Sequence, residues 1–112
     1  MASYLMLISS APDTKNFLRA FSLAENIKEN GNSITLFLVQ DGVRAAVNTG
    51  AVQESTLLTK LINTGVICYV LDEDLRLRGF ETGSLLPKVE VVGYNELVEL
   101  MASEGVSTLG AF

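Results

Sequence analysis

The capacity of this chain for covalent chemistry depends on a single thiol, Cys68, because its 112 residues include one cysteine and no histidine. Histidine is the most common general base near neutral pH and the most common metal ligand in proteins, so much of enzyme chemistry is excluded. Any thiol chemistry of this chain must take place at Cys68. We therefore take Cys68 as the one candidate catalytic residue, and we expect no metal site and no cofactor.

The residues around Cys68 predict a strand that runs directly into a short helix. Residues 66–71 form an apolar run of buried-strand length. Asp72 is expected to cap the following helix, and Gly79 to end it in the left-handed conformation. A cysteine inside such a strand is more often a small buried side chain than a nucleophile. The acidic residues at 72–74 also disfavour an ionised thiol.

Similar apolar runs recur along the chain and alternate with helical patterns. We predict strands at residues 4–8, 34–39, 66–71, 89–92 and 106–112, the last of them at an edge. Strands that are apolar on both faces and alternate with amphipathic helices are typical of a parallel sheet covered on both sides. The predicted fold is therefore a three-layer α/β/α sandwich of flavodoxin-like architecture, with about five mainly parallel strands in one domain over residues 1–112.

Ligands of such folds bind at the carboxyl ends of the strands. The loops expected there begin at Ser9, Gln40, Leu71 and Gly93. The simpler interpretation of the second loop is a turn whose aspartate caps the next helix. No phosphate-binding glycine loop or dinucleotide fingerprint occurs in the sequence. The predicted binding residues are Ser9, Ser10, Gln40, Asp41, Gly42, Leu71 and Asp72.

Composition limits the partners and the location of the protein. The net charge of −5 argues against direct nucleic-acid binding, which usually requires clustered Lys and Arg. The apolar runs are too short to span a bilayer, and the first of them is interpreted as a strand instead of a signal peptide. A lone cysteine cannot form an internal disulfide, which fits a reducing compartment. We expect a cytoplasmic protein with no membrane segment.

Two motifs and the order of the elements resemble one known family. The motifs are LFLVQDGV at 36–43 and VLDEDLRLRG at 70–79. They resemble the DsrE/DsrF/DsrH family of sulfur-relay proteins, and most of all its DsrH/TusB branch. The resemblance implies a small cytoplasmic protein that forms homo-oligomers or assembles with related DsrE/DsrF-like subunits. Such proteins pass sulfur as cysteine persulfide in sulfur oxidation or tRNA thiolation.

The resemblance leaves two roles open for this chain. In the sulfur-carrying branch the active cysteine follows the third strand, near residues 71–74 here, where this sequence has none. The chain is then either an assembly subunit for cysteine-bearing partners or a persulfide carrier through Cys68. The apolar loop at 80–86 is expected to form the oligomer interface. The alternative from another class is a non-enzymatic oligomeric module that binds a small ligand or a protein at the strand ends.

Overall fold

Five parallel strands form one sheet in the computed structural model, which describes residues 1–47 and 53–112. The spatial order β4-β3-β2-β1-β5 places the fifth strand at an edge, as predicted, and each neighbouring pair is parallel. The strands are β1 (Ser3–Ile8), β2 (Ser33–Leu38), β3 (Ile67–Leu71), β4 (Val89–Val92) and β5 (Val106–Leu109).

Helices connect the strands in alternation, which confirms the α/β class. They are α1 (Lys15–Glu29), α2 (Gln53–Asn63), α3 (Asp72–Leu77) and α4 (Tyr94–Met101), with short 3₁₀ helices at Gln40–Ala46 and Thr82–Ser84. The sequence also predicts that the second helical stretch is interrupted near Gly50, and this position lies outside the described residues. Gly79 follows α3 with a φ of 76°, the left-handed exit that its position predicted.

The sheet separates two cores of unequal size, which confirms the three-layer sandwich. One face packs against α1 and α2, and its centre includes the ring pair of Phe17 and Phe21, with centroids 4.5 Å apart. The other face has a smaller buried cluster of Leu5, Phe37 and Leu71. Partly buried leucines of α4 cover that cluster. A side chain's position along its strand therefore decides which core it enters, because successive residues point to opposite faces.

The predicted helix caps at Asp72 and Asp41 are wrong. Helix α3 begins at Asp72 itself, and the extended residue before it, Leu71, is the cap and makes no side-chain hydrogen bond. The strand passes into the helix without a spare residue, so Asp72 instead pairs with Arg76 at 3.1 Å. The 3₁₀ helix is likewise preceded by Val39, and the Asp41 side chain does not cap it.

The large apolar side chains of the loop at 80–86 pack against the chain's own core. Leu86 is only 9% exposed, and its N–H donates to the carbonyl of Ala46 at 2.8 Å. Leu85 forms an isolated bridge with Val47, and both Leu85 and Phe80 pack against the larger core. Leu86 is therefore a core residue that packs against the end of the 3₁₀ helix, whereas the oligomer interface expected at the rest of the loop stays a prediction.

Replacing Leu86 with alanine should lower the free energy of unfolding by about 2–3 kcal/mol, because the change removes buried methyl groups from a packed core. Leu77 is the matched control, since its side chain is 72% exposed. Leu77→Ala should change the stability by less than about 0.5 kcal/mol. Urea denaturation monitored by circular dichroism measures both values, and equal effects at the two sites would contradict the assignment of Leu86 to the core.

Replacing Gly42 with alanine should destabilise the protein by at least about 2 kcal/mol through overpacking. A Cβ at Gly42 would collide with the carbonyl oxygen of Ile8. That oxygen cannot retreat easily, because it accepts a hydrogen bond from Val39 N at 2.9 Å. Gly83→Ala is the control, since a Cβ there meets no atom within 4 Å. Similar unfolding midpoints for both variants would show that the Gly42 contact is not restrictive.

Candidate functional site

An open cavity of about 310 Å³ lies at the carboxyl ends of the central strands. Its apolar lining comes from β1, β3, α4 and the segments that follow β2 and β5, and consists of Leu7, Val39, Leu71, Leu97 and Ala111. Its polar lining consists of Ser9, Gln40, Asp74 and Tyr94. The cavity is therefore an apolar slot with polar groups at its margin, in the place where α/β folds bind ligands.

Three predicted binding residues meet in this cavity: Ser9, Gln40 and Leu71. The other four lie outside its lining and make other contacts. Gly42 is buried against Ile8, Asp41 and Asp72 form ion pairs with arginines, and the Ser10 amide bonds to the main chain.

The amides of Ser9 and Ser10 are already occupied by the segment that follows β5. The main-chain oxygen of Phe112 accepts hydrogen bonds from Ser9 N at 2.7 Å and from Ser10 N at 3.0 Å. The Ser9 hydroxyl donates to the same oxygen at 3.0 Å, and Phe112 N donates to Leu7 O at 3.0 Å. These donors hold residues 110–112 against the end of β1, and they are not presented to a ligand.

Asp74 was missed by the sequence analysis, although it organises the margin of the cavity. It is 8% exposed, and its Oδ2 accepts a hydrogen bond from Gln40 N at 2.6 Å. Gln40 adopts a φ of 49°, unusual for a residue other than glycine, so the carboxylate holds a strained turn in place. The available signal was helical spacing, since Asp74 lies three residues after Leu71 and one helical turn brings it back over the strand end.

Arg78 extends this contact into a network across the turn. Its guanidinium lies 3.6 Å from the Asp74 carboxylate and donates from Nε to Asp41 at 3.0 Å. Arg44 approaches the same Asp41 oxygen at 3.5 Å and lies over the Phe80 ring, 5.6 Å from its centroid. The hydrogen bond from Arg78, more than any other contact, lowers the pKa of Asp41 from its ordinary value of 3.8. The network joins the 3₁₀ helix to α3.

Tyr94 lies at the opposite side of the cavity, at the start of α4. Its ring is 55% exposed, and its hydroxyl interacts with Glu73 at the start of α3. The hydrogen bond to Glu73, together with some desolvation and the negative charges of Glu73 and Asp74, raises the pKa of Tyr94 above 10.0. The hydroxyl is therefore protonated at neutral pH and can donate a hydrogen bond.

Cys68 is not part of this cavity. It is 0% exposed and belongs to the core beneath α1 and α2, whereas Leu71, at the cavity, belongs to the opposite core. Its backbone neighbours in the sheet are Leu36 and Val89. Burial raises the pKa of the Cys68 thiol from 9.0 to about 12. In the folded protein the thiol is therefore protonated and shielded from solvent at neutral pH.

Residues 1–47 and 53–112 offer neither a metal site nor a membrane-spanning helix. Within those residues, no group of three or more Asp, Glu, Cys or His side chains has a geometry that could hold a metal ion. No helix in the described ranges combines the length and apolar character needed to cross a membrane. A second groove, of about 270 Å³, separates α1 from α2 and contains no predicted site residue.

Sequence comparison relates the chain to one family. A family model described as "DsrH like protein" matches residues 15–106. A stretch of 65 residues is 42% identical to Protein TusB of Serratia proteamaculans (strain 568) and covers 58% of this chain and 62% of that protein. A stretch of 70 residues is 36% identical to Protein TusB of Enterobacter sp. (strain 638) and covers 62% of this chain and 67% of that protein. The match to the Serratia relative thus spans less than two thirds of its length.

Structural comparison finds the same fold in distant proteins. The ychN protein from E. coli has a TM-score of 0.83 at 21% identity, with 97% of this chain and 100% of that chain covered. MTH1491 from Methanobacterium thermoautotrophicum, a protein of unknown function, has a TM-score of 0.83 at 21% identity, with 97% and 98% covered. At such identities the likeness shows the fold alone. Because the family model spans most of the sequence, the chain belongs to the DsrH-like protein family.

Proposed function

We propose that this chain is an assembly subunit of a cytoplasmic sulfur-relay system and that cysteine-bearing related subunits supply the thiol that carries sulfur. Membership of the DsrH-like family supports the relay context, which in the resembled proteins is sulfur oxidation or tRNA thiolation. The observation that carries the assembly role is the burial of the single cysteine, Cys68, at 0% exposure in the core away from the strand ends.

At the strand end where a relay protein is expected to carry its thiol, this chain has a carboxylate. Residues 71–74 contain no cysteine, and Asp74 is held there by the amide of Gln40 and by Arg78. A thiolate next to Asp74 would be destabilised by the like charge. This end of the sheet is therefore suited to a structural contact and not to an ionised nucleophile.

Persulfide transfer sets two requirements that Cys68 does not meet. The acceptor thiolate attacks the outer sulfur of a donor persulfide, a new S–S bond forms, the old one breaks, and the donor leaves as a thiolate. The acceptor must therefore be ionised and must be reachable by a second protein. Cys68 has a pKa of about 12 and lies in the core, so the transfer is assigned to a partner.

A second candidate function is a non-enzymatic binding module. The open apolar cavity of about 310 Å³ at the strand ends favours it, because an apolar slot with a few polar groups is typical of ligand sites. The two functions differ in what accompanies the purified chain. The first requires stable association with related subunits, and the second requires a bound small molecule without them.

The Cys68 thiol should resist labelling in the native protein. The rise in its pKa from 9.0 to about 12 lowers the thiolate fraction near neutral pH about a thousandfold, and burial blocks access in addition. With a chromogenic disulfide reagent at pH 7.5, we expect the native chain to react at least about a thousandfold more slowly than the chain in denaturant. Labelling at comparable rates in both states would return the persulfide-carrier role to Cys68.

The assembly role is tested by sulfur loading of a reconstituted complex. The full chain is co-expressed with the DsrE-like and DsrF-like subunits of the same organism, and the complex is incubated with a persulfide donor. Mass spectrometry should find the one-sulfur gain on a partner cysteine and not on Cys68, and Cys68→Ala should leave the loading within twofold of the wild type. A chain that forms no complex, or that itself gains the sulfur, would contradict the proposal.

A further inference from the structure

Three hydrogen-bond donors from two consecutive residues meet at one oxygen atom at the end of β1. That oxygen belongs to the main chain of Phe112, and it lies 2.7 Å from Ser9 N, 3.0 Å from Ser10 N and 3.0 Å from the Ser9 hydroxyl oxygen. Three donors exceed the two lone pairs of a carbonyl oxygen, and such bonds are stronger when the oxygen carries negative charge. Successive main-chain amides that converge in this way are typical of sites for oxyanions. The loop after β1 therefore has the donor set of a carboxylate site.

Residues 110–112, which we call the strap, fill this donor set from within the chain. The strap follows the edge strand β5, and Gly110 and Ala111 are exposed. It is also held by the hydrogen bond from Phe112 N to Leu7 O at 3.0 Å and by the partly buried Phe112 side chain, which packs against the larger core. A segment with so little buried surface opens at a lower free energy than the core elements. The strap is therefore the part of this site that can open.

The donor set adjoins the apolar cavity at the strand ends. Ser9 and Ala111 both line that cavity, together with Leu7, Leu71 and Leu97. A ligand that displaces the strap therefore meets oxyanion donors and an apolar wall in one continuous space. The cavity volume of about 310 Å³ is at the small end of the range for ligand pockets, roughly 300–1,000 Å³, which limits the apolar part of a ligand to a short chain.

We propose that the cavity and the donors of Ser9 and Ser10 form one binding site for a carboxylate with a short alkyl tail, and that the strap occupies the carboxylate position until such a ligand displaces it. The oxygen that fills this position is bonded to a trigonal carbon, as carboxylate oxygens are, whereas phosphate and sulfate oxygens surround a tetrahedral centre. The site uses residues of this chain alone, so it goes beyond the assembly role and does not depend on it.

The acidic side chains near the cavity are engaged in contacts of their own. Asp74 lines the cavity, but its carboxylate accepts a hydrogen bond from Gln40 N at 2.6 Å and lies 3.6 Å from the Arg78 guanidinium. Glu73 lies outside the lining and interacts with the hydroxyl of Tyr94. These contacts compensate part of the negative charge, and they lower the cost of placing a ligand carboxylate in the same cavity.

The ligand class is tested by titrating the full chain with octanoate and following the amide NMR signals of Ser9 and Ser10. We expect both signals to shift until the site is saturated. Acetate has the carboxylate without the tail, and octanol has the tail without the charge. Each should bind at least about tenfold more weakly than octanoate, because it lacks either the apolar contacts or the charged hydrogen bonds. Octanol that binds as tightly as octanoate would overturn the carboxylate site.

The role of the strap is tested with Gly110→Ala, for which Gly105→Ala is the matched control. Both glycines have left-handed φ angles, 107° and 77°, so alanine is strained at both positions. At Gly110 the new Cβ would also lie 2.9 Å from the main-chain oxygen of Leu7, whereas at Gly105 it meets no atom within 4 Å. Gly110→Ala should therefore loosen the strap and tighten octanoate binding at least about fivefold, and Gly105→Ala should change it less than about twofold.

Phe112→Ala loosens the strap in a second way, because it removes the side chain that packs against the larger core. It should also tighten octanoate binding, and it replaces Gly110→Ala in the test if a thermal melt shows that Gly110→Ala does not fold. The proposal is overturned if octanoate shifts neither amide signal in the wild type and in a loosened variant. It is also overturned if the folded loosened variants bind octanoate no more tightly than the wild type, since the strap then does not compete with the ligand.

Shifts confined to the groove between α1 and α2 would show that octanoate binds there through its tail, and they would overturn the proposed site as well. None of these outcomes changes the result expected for sulfur loading of the reconstituted complex. Failure of the carboxylate site is therefore distinguishable from failure of the assembly role.

Discussion

Coverage of the sheet on both faces is the constraint on which the remaining features of this molecule depend. Because successive strand residues point to opposite faces, β3 directs Cys68 and Val70 into the core beneath α1 and α2 and Leu71 into the core beneath α4. The register of β3 with β2, in which Cys68 lies beside Leu36, maintains that direction along the strand. The burial of the Cys68 thiol therefore follows from the geometry of the strand.

The two layers that cover the sheet are unequal, and the thinner one concentrates the features that another molecule could recognise. Helix α1 has 15 residues and buries four of its side chains in the larger core. Helix α4 has 8 residues and buries none completely. The short helix leaves grooves on both of its sides and an apolar stripe on its outer face. The thicker layer stabilises the fold, and the thinner layer presents the surface.

The carboxyl ends of the strands are a typical ligand-binding position, and in this chain they also hold a network of hydrogen bonds and ion pairs. Asp74 bonds to the amide of Gln40 and approaches Arg78, which also binds Asp41. A buried carboxylate remains stable only when such partners compensate its lost hydration. The network thereby ties α3 to the 3₁₀ helix and shapes the margin of the cavity. In this chain, the end of β3 is organised by ion pairs and a hydrogen bond to a main-chain amide.

Much of the fold was predictable because it depends on local periodicity. Apolar runs marked the strands, helical spacing marked the connections, and Gly79 marked a helix end by its conformational freedom. The burial of Cys68 also follows from its apolar strand neighbours. Residues at strand ends were predicted as a group, and Ser9 and Gln40 do meet at the cavity. Each of these features depends on a few consecutive residues.

The sequence by itself determined the strands, their alternation with helices and the absence of histidine chemistry, because composition and local pattern are sufficient for these properties. Only the tertiary structure decided which polar groups and apolar side chains find their contacts in distant parts of the chain. Asp74 meets Gln40 across 34 positions, Ser9 bonds to Phe112 across 103, and Leu86 enters the core. The physical reason is that such contacts depend on how whole elements pack together, which local periodicity does not encode.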